Sequence, residues 1–264
     1  MNITLYKREM KRSLLTLGIF GAIMTLYVSV IVSMYDPKLM GSLDEWVELM
    51  PQIMAAVGMK AGATSLIDFM ASYLYGFILL IVPMVFIILR GNGLIAKYVD
   101  NTSMVMLTAA PVKRKTVAFT QMQVLVTGIT VLVTYATVLE LICSTQFKGE
   151  LDVAKLLILN FGLLCLQLFI GSICFLASCI FNDAKYSIAV GAGIPALMYI
   201  LQALSNTGVK AEKAKYCTFF TLFNPTGIIE GDGGAIAGIL SLFVGTCVLF
   251  AVAVRVFSKK DMHI

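Results

Sequence analysis

Six stretches of this chain contain no Asp, Glu, Lys or Arg: residues 13–35, 69–89, 116–139, 156–182, 186–209 and 233–254. At the roughly 25% charge content of soluble domains, a given window of about 21 residues is charge-free only about 0.2% of the time. Six such windows in one chain mark an apolar surrounding, and each is long enough for the roughly 20-residue helix that crosses a bilayer. Helices are required because hydrocarbon offers backbone groups no partners, and the alternating ten-residue segments of a barrel are absent. The 59% hydrophobic and 13% charged content agrees. The sequence thus predicts an all-α integral membrane protein, one transmembrane domain over 1–264 with six spans.

Lys7, Arg8, Lys11 and Arg12 precede the first apolar run in the manner of a signal peptide. That run is longer than an h-region of roughly 7–15 residues and lacks an A-x-A-like end, so it reads as a retained first span. With the N-terminus inside, the inner segments hold Lys7, Arg8, Lys11, Arg12, Arg90, Lys97, Lys113, Arg114, Lys115, Lys185, Arg255, Lys259 and Lys260, which are 13 of the 20 basic residues. The positive-inside rule then places both termini of this multi-pass chain in the cytoplasm, and the plasma membrane is its expected site. A +5 charge distributed in this way reports orientation, and nucleic acid is not an expected partner.

Three connecting segments are more than linkers. In outer segment 36–68, Leu43, Trp46, Val47, Met50, Ile53, Met54 and Val57 approximate one helical face, which predicts an amphipathic helix at the outer surface. In outer segment 205–232, Tyr216 to Ile229 is apolar around Asn224 and Pro225; too short to cross, it reads as re-entrant or interfacial and broken at Pro225. Inner segment 90–116 carries Leu94, Ile95, Tyr98, Met104, Met106 and Leu107 and should be buried, either on the inner leaflet or against a partner. The turn from Asn182 to Lys185 is so short that the fourth and fifth spans must form a tight hairpin.

Chemistry within the chain is sparse. No G-x-x-x-x-G-K-[ST] loop occurs, and the Gly58–Ser65 cluster has its lysine in the wrong place, so the chain is not expected to bind ATP or to act as an enzyme by itself. His263 is the single histidine, which disfavours a catalytic triad or a histidine metal site, and no cofactor is expected. Cys143, Cys165, Cys174, Cys179 and Cys247 lie in apolar runs and read as small buried hydrophobes, while Cys217 falls in a predicted external segment. Glu140, just past the third charge-free run, reads either as an acid snorkelling to the interface or as a pathway or gating residue. Gln121, Gln123, Thr127, Thr130, Thr134, Thr137, Asn160 and Gln167 read as interhelical glue. Pro83 and Pro195 predict kinks or hinges, and Gly191 and Gly193 beside Pro195 predict close helix contact.

The order of these features resembles the ABC-2-type permease family over most of the chain. Leu5-Tyr6-Lys7-Arg8-Glu9-Met10-Lys11-Arg12 is similar to the basic amphipathic segment that precedes the first span there, and Ile67-Asp68-Phe69-Met70 to one branch's lead-in to the second. Leu94-Ile95-Ala96-Lys97-Tyr98-Val99-Asp100-Asn101-Thr102 resembles the acidic segment ending Gly-Thr, but without its paired glutamates and with Asn101 where glycine is common. Pro111-Val112-Lys113-Arg114 is similar to the Pro-x-x-Arg approach to the third span, Phe223-Asn224-Pro225 to an outer Asn/Ser-Pro element, and Phe257 to Met262 to the usual ending.

The resemblance implies a type V exporter-like permease fold with an N-terminal amphipathic helix, two permease copies, and two cytoplasmic ATPase subunits that hold the ATP and magnesium. It makes 90–116 the coupling loop. Leu94, Ile95, Met104 and Leu107 would seat on the ATPase, Tyr98 and Pro111 belong to the same element, Arg114 would hold its end at the headgroups, and Asp100, Asn101 and Thr102 would cap or orient it. Glu140, Pro195, Asn224 and Pro225 are the candidate pathway or gating residues. Uncharged cores and aromatic outer segments suit a hydrophobic or amphipathic cargo such as membrane-active peptides. Two other readings stand beside an exporter subunit: a non-transporting sensor or immunity partner of an ATPase, and a secondary carrier or channel.

Overall fold

A computed structural model describes residues 1–36, 49–59, 65–96, 98, 113–147, 151–207 and 212–260, and all of its regular structure is helical. The elements are α1 (Ile3–Ser33), α2 (Pro51–Ala56), α3 (Leu66–Tyr73), α4 (Leu79–Gly91), α5 (Arg114–Ser144), α6 (Val153–Ile180), α7 (Ala184–Asn206), α8 (Pro225–Glu230) and α9 (Gly233–Lys259). A π-helical turn, Leu74–Ile78, fuses α3 to α4, and two 3₁₀ turns, Glu212–Cys217 and Phe219–Leu222, lie between α7 and α8. Six helices, α1, α3–α4, α5, α6, α7 and α9, are long and apolar enough to cross a membrane, so the chain is a multi-pass membrane protein.

Each of these helices extends past its charge-free stretch at one end at least, because the helix persists into the polar interface after apolar composition ends. At 1.5 Å per residue the 31 residues of α1 span about 46 Å, well beyond a hydrocarbon core of about 30 Å. The basic N-terminal segment, expected as a separate amphipathic helix, is therefore the first turns of α1, started by the Asn2 side chain accepting from Leu5 N. Asp152 caps α6, Asp183 caps α7 and Asp232 caps α9 in the same way.

Helix α6 is the axis of the bundle. Of its most apolar window 67% is buried inside the chain, against 17% for peripheral α7, which turns Ile188, Ile194, Leu197, Ile200 and Leu204 outward. Around α6 pack α9, α7, α4 and α5, with α1 laid along α5. Between helices in lipid the contact energy is packing and hydrogen bonding.

Two prolines would each strand a carbonyl, and α6 answers both. Pro83 cannot bond Leu79 O, and Gln167 Nε2 donates to Leu79 O at 3.1 Å and Leu80 O at 3.0 Å. Pro195 leaves Gly191 O free, and Cys174 Sγ donates to it at 3.0 Å. Gln167 and Cys174 are seven residues apart, two turns along one face of α6, so one helix serves both kinks.

The ends of the bundle differ. The basic end gathers Lys7, Arg8, Arg90, Lys113, Arg114, Lys185, Lys259 and Lys260, set by helix termini that alternate in direction. At the far end, the segment before α3 crosses the π turn: Gly58 sits at φ 78°, and a Cβ on it would stand 2.8 Å from Gly76 Cα. Only glycine permits that approach. The described part of the predicted outer amphipathic helix is the short α2, with Ile53 exposed; Leu43, Trp46 and Val47 lie outside the described residues.

The second expected surface element folds back into the bundle, burying Phe220, Phe223, Ile228 and Ile229. Pro225 does not simply break this segment. It occupies the first turn of α8, where its missing N–H costs nothing, and Asn224 caps the helix by accepting from Gly227 N at 3.3 Å.

Candidate functional site

At the basic end, α1 brings the acid Glu9 and the hydroxyl of Ser13 to one buried face, one turn apart. Arg90, in the last turn of α4, reaches across to them: its Nη2 donates to Ser13 Oγ at 2.5 Å and to Glu9 O at 3.5 Å, and lies 3.9 Å from Glu9 Oε2. Tyr98 donates its hydroxyl to Glu9 Oε1. Glu9 is only 2% exposed, so its charge is held by these donors rather than by water. Burial first, then the hydrogen bond and charge of Glu9, push the Tyr98 phenol above its usual range.

Between Arg90 and Tyr98 the chain is pinned at Asn92 and Ala96. Asn92 bonds back to Ile88 O and accepts from Ser187 Oγ on α7 at 3.0 Å, and Ala96 N donates to Ser178 Oγ on α6 at 2.9 Å. Leu94 is 2% exposed and Ile95 0%, and both belong to the main apolar core. This corrects their expected seating in a partner's groove: both side chains are already occupied by the chain itself. Tyr98 is half-buried against Glu9. Asp100, Asn101, Thr102, Met104, Leu107 and Pro111 lie outside the described residues.

Arg114 opens α5 and donates to Lys260 O at 3.0 Å. Lys260 in turn places Nζ 3.0 Å from Cys179 O and 2.8 Å from Ile180 O, closing the C-terminus of α6, where a cation suits the helix dipole. Burial lowers the pKa of this ammonium. The basic ends of α5, α6 and α9 are thereby tied together.

Toward the far end stands a second polar group. Glu140, on α5, is 0% exposed; Tyr75 of the π turn donates its hydroxyl to Glu140 Oε2 at 2.9 Å, and Asn160 of α6 donates Nδ2 to the same oxygen at 2.7 Å. The snorkelling alternative is overturned, because α5 runs one turn further to Ser144 and directs the carboxyl between α3–α4 and α6.

Tyr75 also lines a cavity of about 200 Å³ whose polar wall is Ser72, Tyr199, Gln202, Asn206, Thr221, Asn224 and Thr226. Pro195 lies on α7 below it, buried, its kink stabilised by Cys174. Gly191 meets Asn92, whereas Gly193 faces open space. Of the residues read as glue, Asn160 and Gln167 cross between helices and Thr127 accepts from Tyr6 at 3.1 Å, while Thr130 and Thr137 bond their own helix. All six cysteines are free thiols, Cys165, Cys174 and Cys179 buried but Cys247 facing out of the bundle.

The residues that sequence reasoning missed are Glu9, Ser13, Arg90, Tyr75, Ser178 and Lys260. Glu9 had a signal, as the one acid within a basic segment; Tyr75 and Ser178 had none, since single hydroxyls are common in apolar runs. Compared with protein-family models and with curated proteins, the chain gives no match.

Proposed function

We propose that this chain is the membrane-spanning subunit of an ATP-driven ABC exporter, with both termini in the cytoplasm of a bacterial cell and the plasma membrane as its site. What supports this reading is the anchoring of residues 92–96 and of Tyr98, the root of the segment that would couple to an ATPase. Hydrogen bonds tie it to α6, α7 and α1, and its apolar side chains are locked in the core. A displacement applied beyond Tyr98 would be carried into those helices as a rigid body. Nucleotide can drive such a lever only if the ATPase grips two permease states with different affinity. The contact itself falls to the residues after Tyr98, with Arg114 and Lys260 bracing the far side.

On this reading two copies of the chain sit on two ATPase subunits, the second copy and lipid cover the outward apolar faces of α1 and α7, and the cargo is hydrophobic or amphipathic, such as a membrane-active peptide. The test is reconstitution with the ATPase in proteoliposomes. Nucleotide hydrolysis stimulated by an amphipathic peptide and diminished by Glu9→Gln supports the reading; hydrolysis by the isolated chain overturns it. Stimulation without peptide movement points instead to a non-transporting partner of an ATPase. A secondary carrier is the alternative favoured by one observation, the buried Glu140, since ionisable groups inside spans mark ion pathways. Flux under an ion gradient without nucleotide would establish it.

A further inference from the structure

The far-end cluster has an imbalance of donors and acceptors. Tyr75 spends its one proton on Glu140 Oε2, and Asn160 spends its amide protons on that same oxygen and on Leu156 O at 3.2 Å. Glu140 Oε1 and Asn160 Oδ1 are buried with no donor. Acceptors buried without a donor in an apolar interior are costly, above all on an ionised carboxylate, and a hydrogen on Glu140 Oε1 removes that charge while Oε2 keeps its two donors.

Along their charge-free runs the four helices packed on α5 offer no counter-charge; their far-side charges are Asp68 of α3, two turns before Tyr75 and bonded by Ser65 Oγ, and exposed Lys155 of α6, five residues before Asn160. Runs 13–35, 69–89, 156–182 and 233–254 of α1, α3–α4, α6 and α9 contain no Asp, Glu, Lys or Arg, and the lone histidine is His263. From the re-entrant segment the near neighbour is Phe223, whose ring centroid is 6.5 Å from that of Tyr75. Tyr75 is thus the one titratable side chain bonded to Glu140 among the described residues.

We propose that Glu140, Asn160 and Tyr75 form a proton-binding site within the membrane, with the proton on Glu140 Oε1, and that it exchanges through Tyr75 with the far-end cavity. The cavity's uncharged polar wall and its volume of about 200 Å³ leave room for several waters at ~30 Å³ each. In the release step the carboxyl turns its O–H toward Tyr75 and passes that proton to the Tyr75 oxygen as the Tyr75 hydroxyl proton passes to cavity water, leaving a carboxylate and a hydronium ion; uptake is the same transfer reversed. Charge and proton number balance without any other reactant. The site does not depend on the exporter reading; it holds whether the engine is nucleotide or an ion gradient.

Infrared difference spectra of the full chain in phosphatidylglycerol nanodiscs at pH 7 test this. Wild type minus Glu140→Gln should contain one protonated-carboxyl C=O band per chain that shifts in D₂O. Tyr75→Phe should keep the band, displace its frequency and slow its exchange at least several-fold. Gln is nearly isosteric and neutral, so this variant should fold and melt as wild type does. A carboxylate band in that difference spectrum overturns the proposal, as does loss of the C=O band on replacing potassium by sodium at constant pH, which would mean a metal cation. Unchanged exchange in Tyr75→Phe overturns the route through the cavity.

Discussion

Replacing Gln167 by Leu should destabilise the bundle in a way that depends on Pro83. The Nε2 group supplies bonds of 3.1 and 3.0 Å to Leu79 O and Leu80 O, and the first of these carbonyls has no other intrahelical donor because residue 83 is proline. An interhelical side-chain bond in a membrane is worth about 0.6 kcal/mol on average, up to ~1.7. Stranding a buried carbonyl adds about 1–3 kcal/mol. The loss is offset because Gln167 Oε1 is itself buried without a partner and disappears with the substitution. A net cost of about 1–2 kcal/mol follows, which at about 2–4 °C per kcal/mol lowers the melting temperature by roughly 2–8 °C. Pro83→Ala restores an N–H for Leu79 O, so Gln167→Leu in that background should cost about 1 kcal/mol less. Thermal melting of the four proteins of this cycle in detergent, followed by circular dichroism, measures the coupling. Effects that add to within ~0.3 kcal/mol would refute the idea that Gln167 is there to satisfy the proline kink.

Leu94→Asp should cause loss of folded protein, seen as aggregation in size-exclusion chromatography, because it buries an unpaired charge in the core; a well-folded Leu94→Asp chain would return this residue to the surface. Tyr98 has a raised pKa, so the folded state holds its proton more tightly, and stability present below the unfolded value of about 10 is lost as pH rises through the folded value. The fall in melting temperature above about pH 10 should therefore be steeper in wild type than in Tyr98→Phe, and parallel profiles would contradict the burial of Tyr98 against Glu9. Lys260→Met should uncap α6 and cost about 1–2 kcal/mol, read as a lower melting temperature, with Lys260→Arg intermediate. A membrane-impermeant maleimide should label exposed Cys217 in intact cells and leave buried Cys174 and Cys179 unreacted; labelling of Cys217 only after lysis would invert the topology.

Much of the fold is legible because lipid is an unforgiving solvent. A span must be helical and free of charge, and a chain shows that in one dimension; hence the number and order of the six helices and the tight turn at 182–185 could be anticipated, whereas 216–229 read equally as re-entrant or interfacial and is folded into the bundle. Helix ends could not, since the interface tolerates charge and α1 simply continues through Lys7 to Arg12. Legibility fails further where a property belongs to a pair. Leu94 and Ile95 looked like docking side chains because apolar residues in a loop need burial, and composition does not tell whose core will bury them.

The polar sites divide on the same line. The sequence alone determined that Glu140, Asn160, Gln167 and the two prolines stood among apolar residues and would need partners, because an unsatisfied polar group in hydrocarbon costs free energy wherever it is. Only the tertiary structure decided which partners: Tyr75 for Glu140, the carbonyls freed by Pro83 for Gln167, Glu9 for Arg90 and Tyr98. Those choices depend on helix rotation and crossing, which are set by side-chain packing across residues 65 to 89 positions apart, and no local period in the chain carries that information.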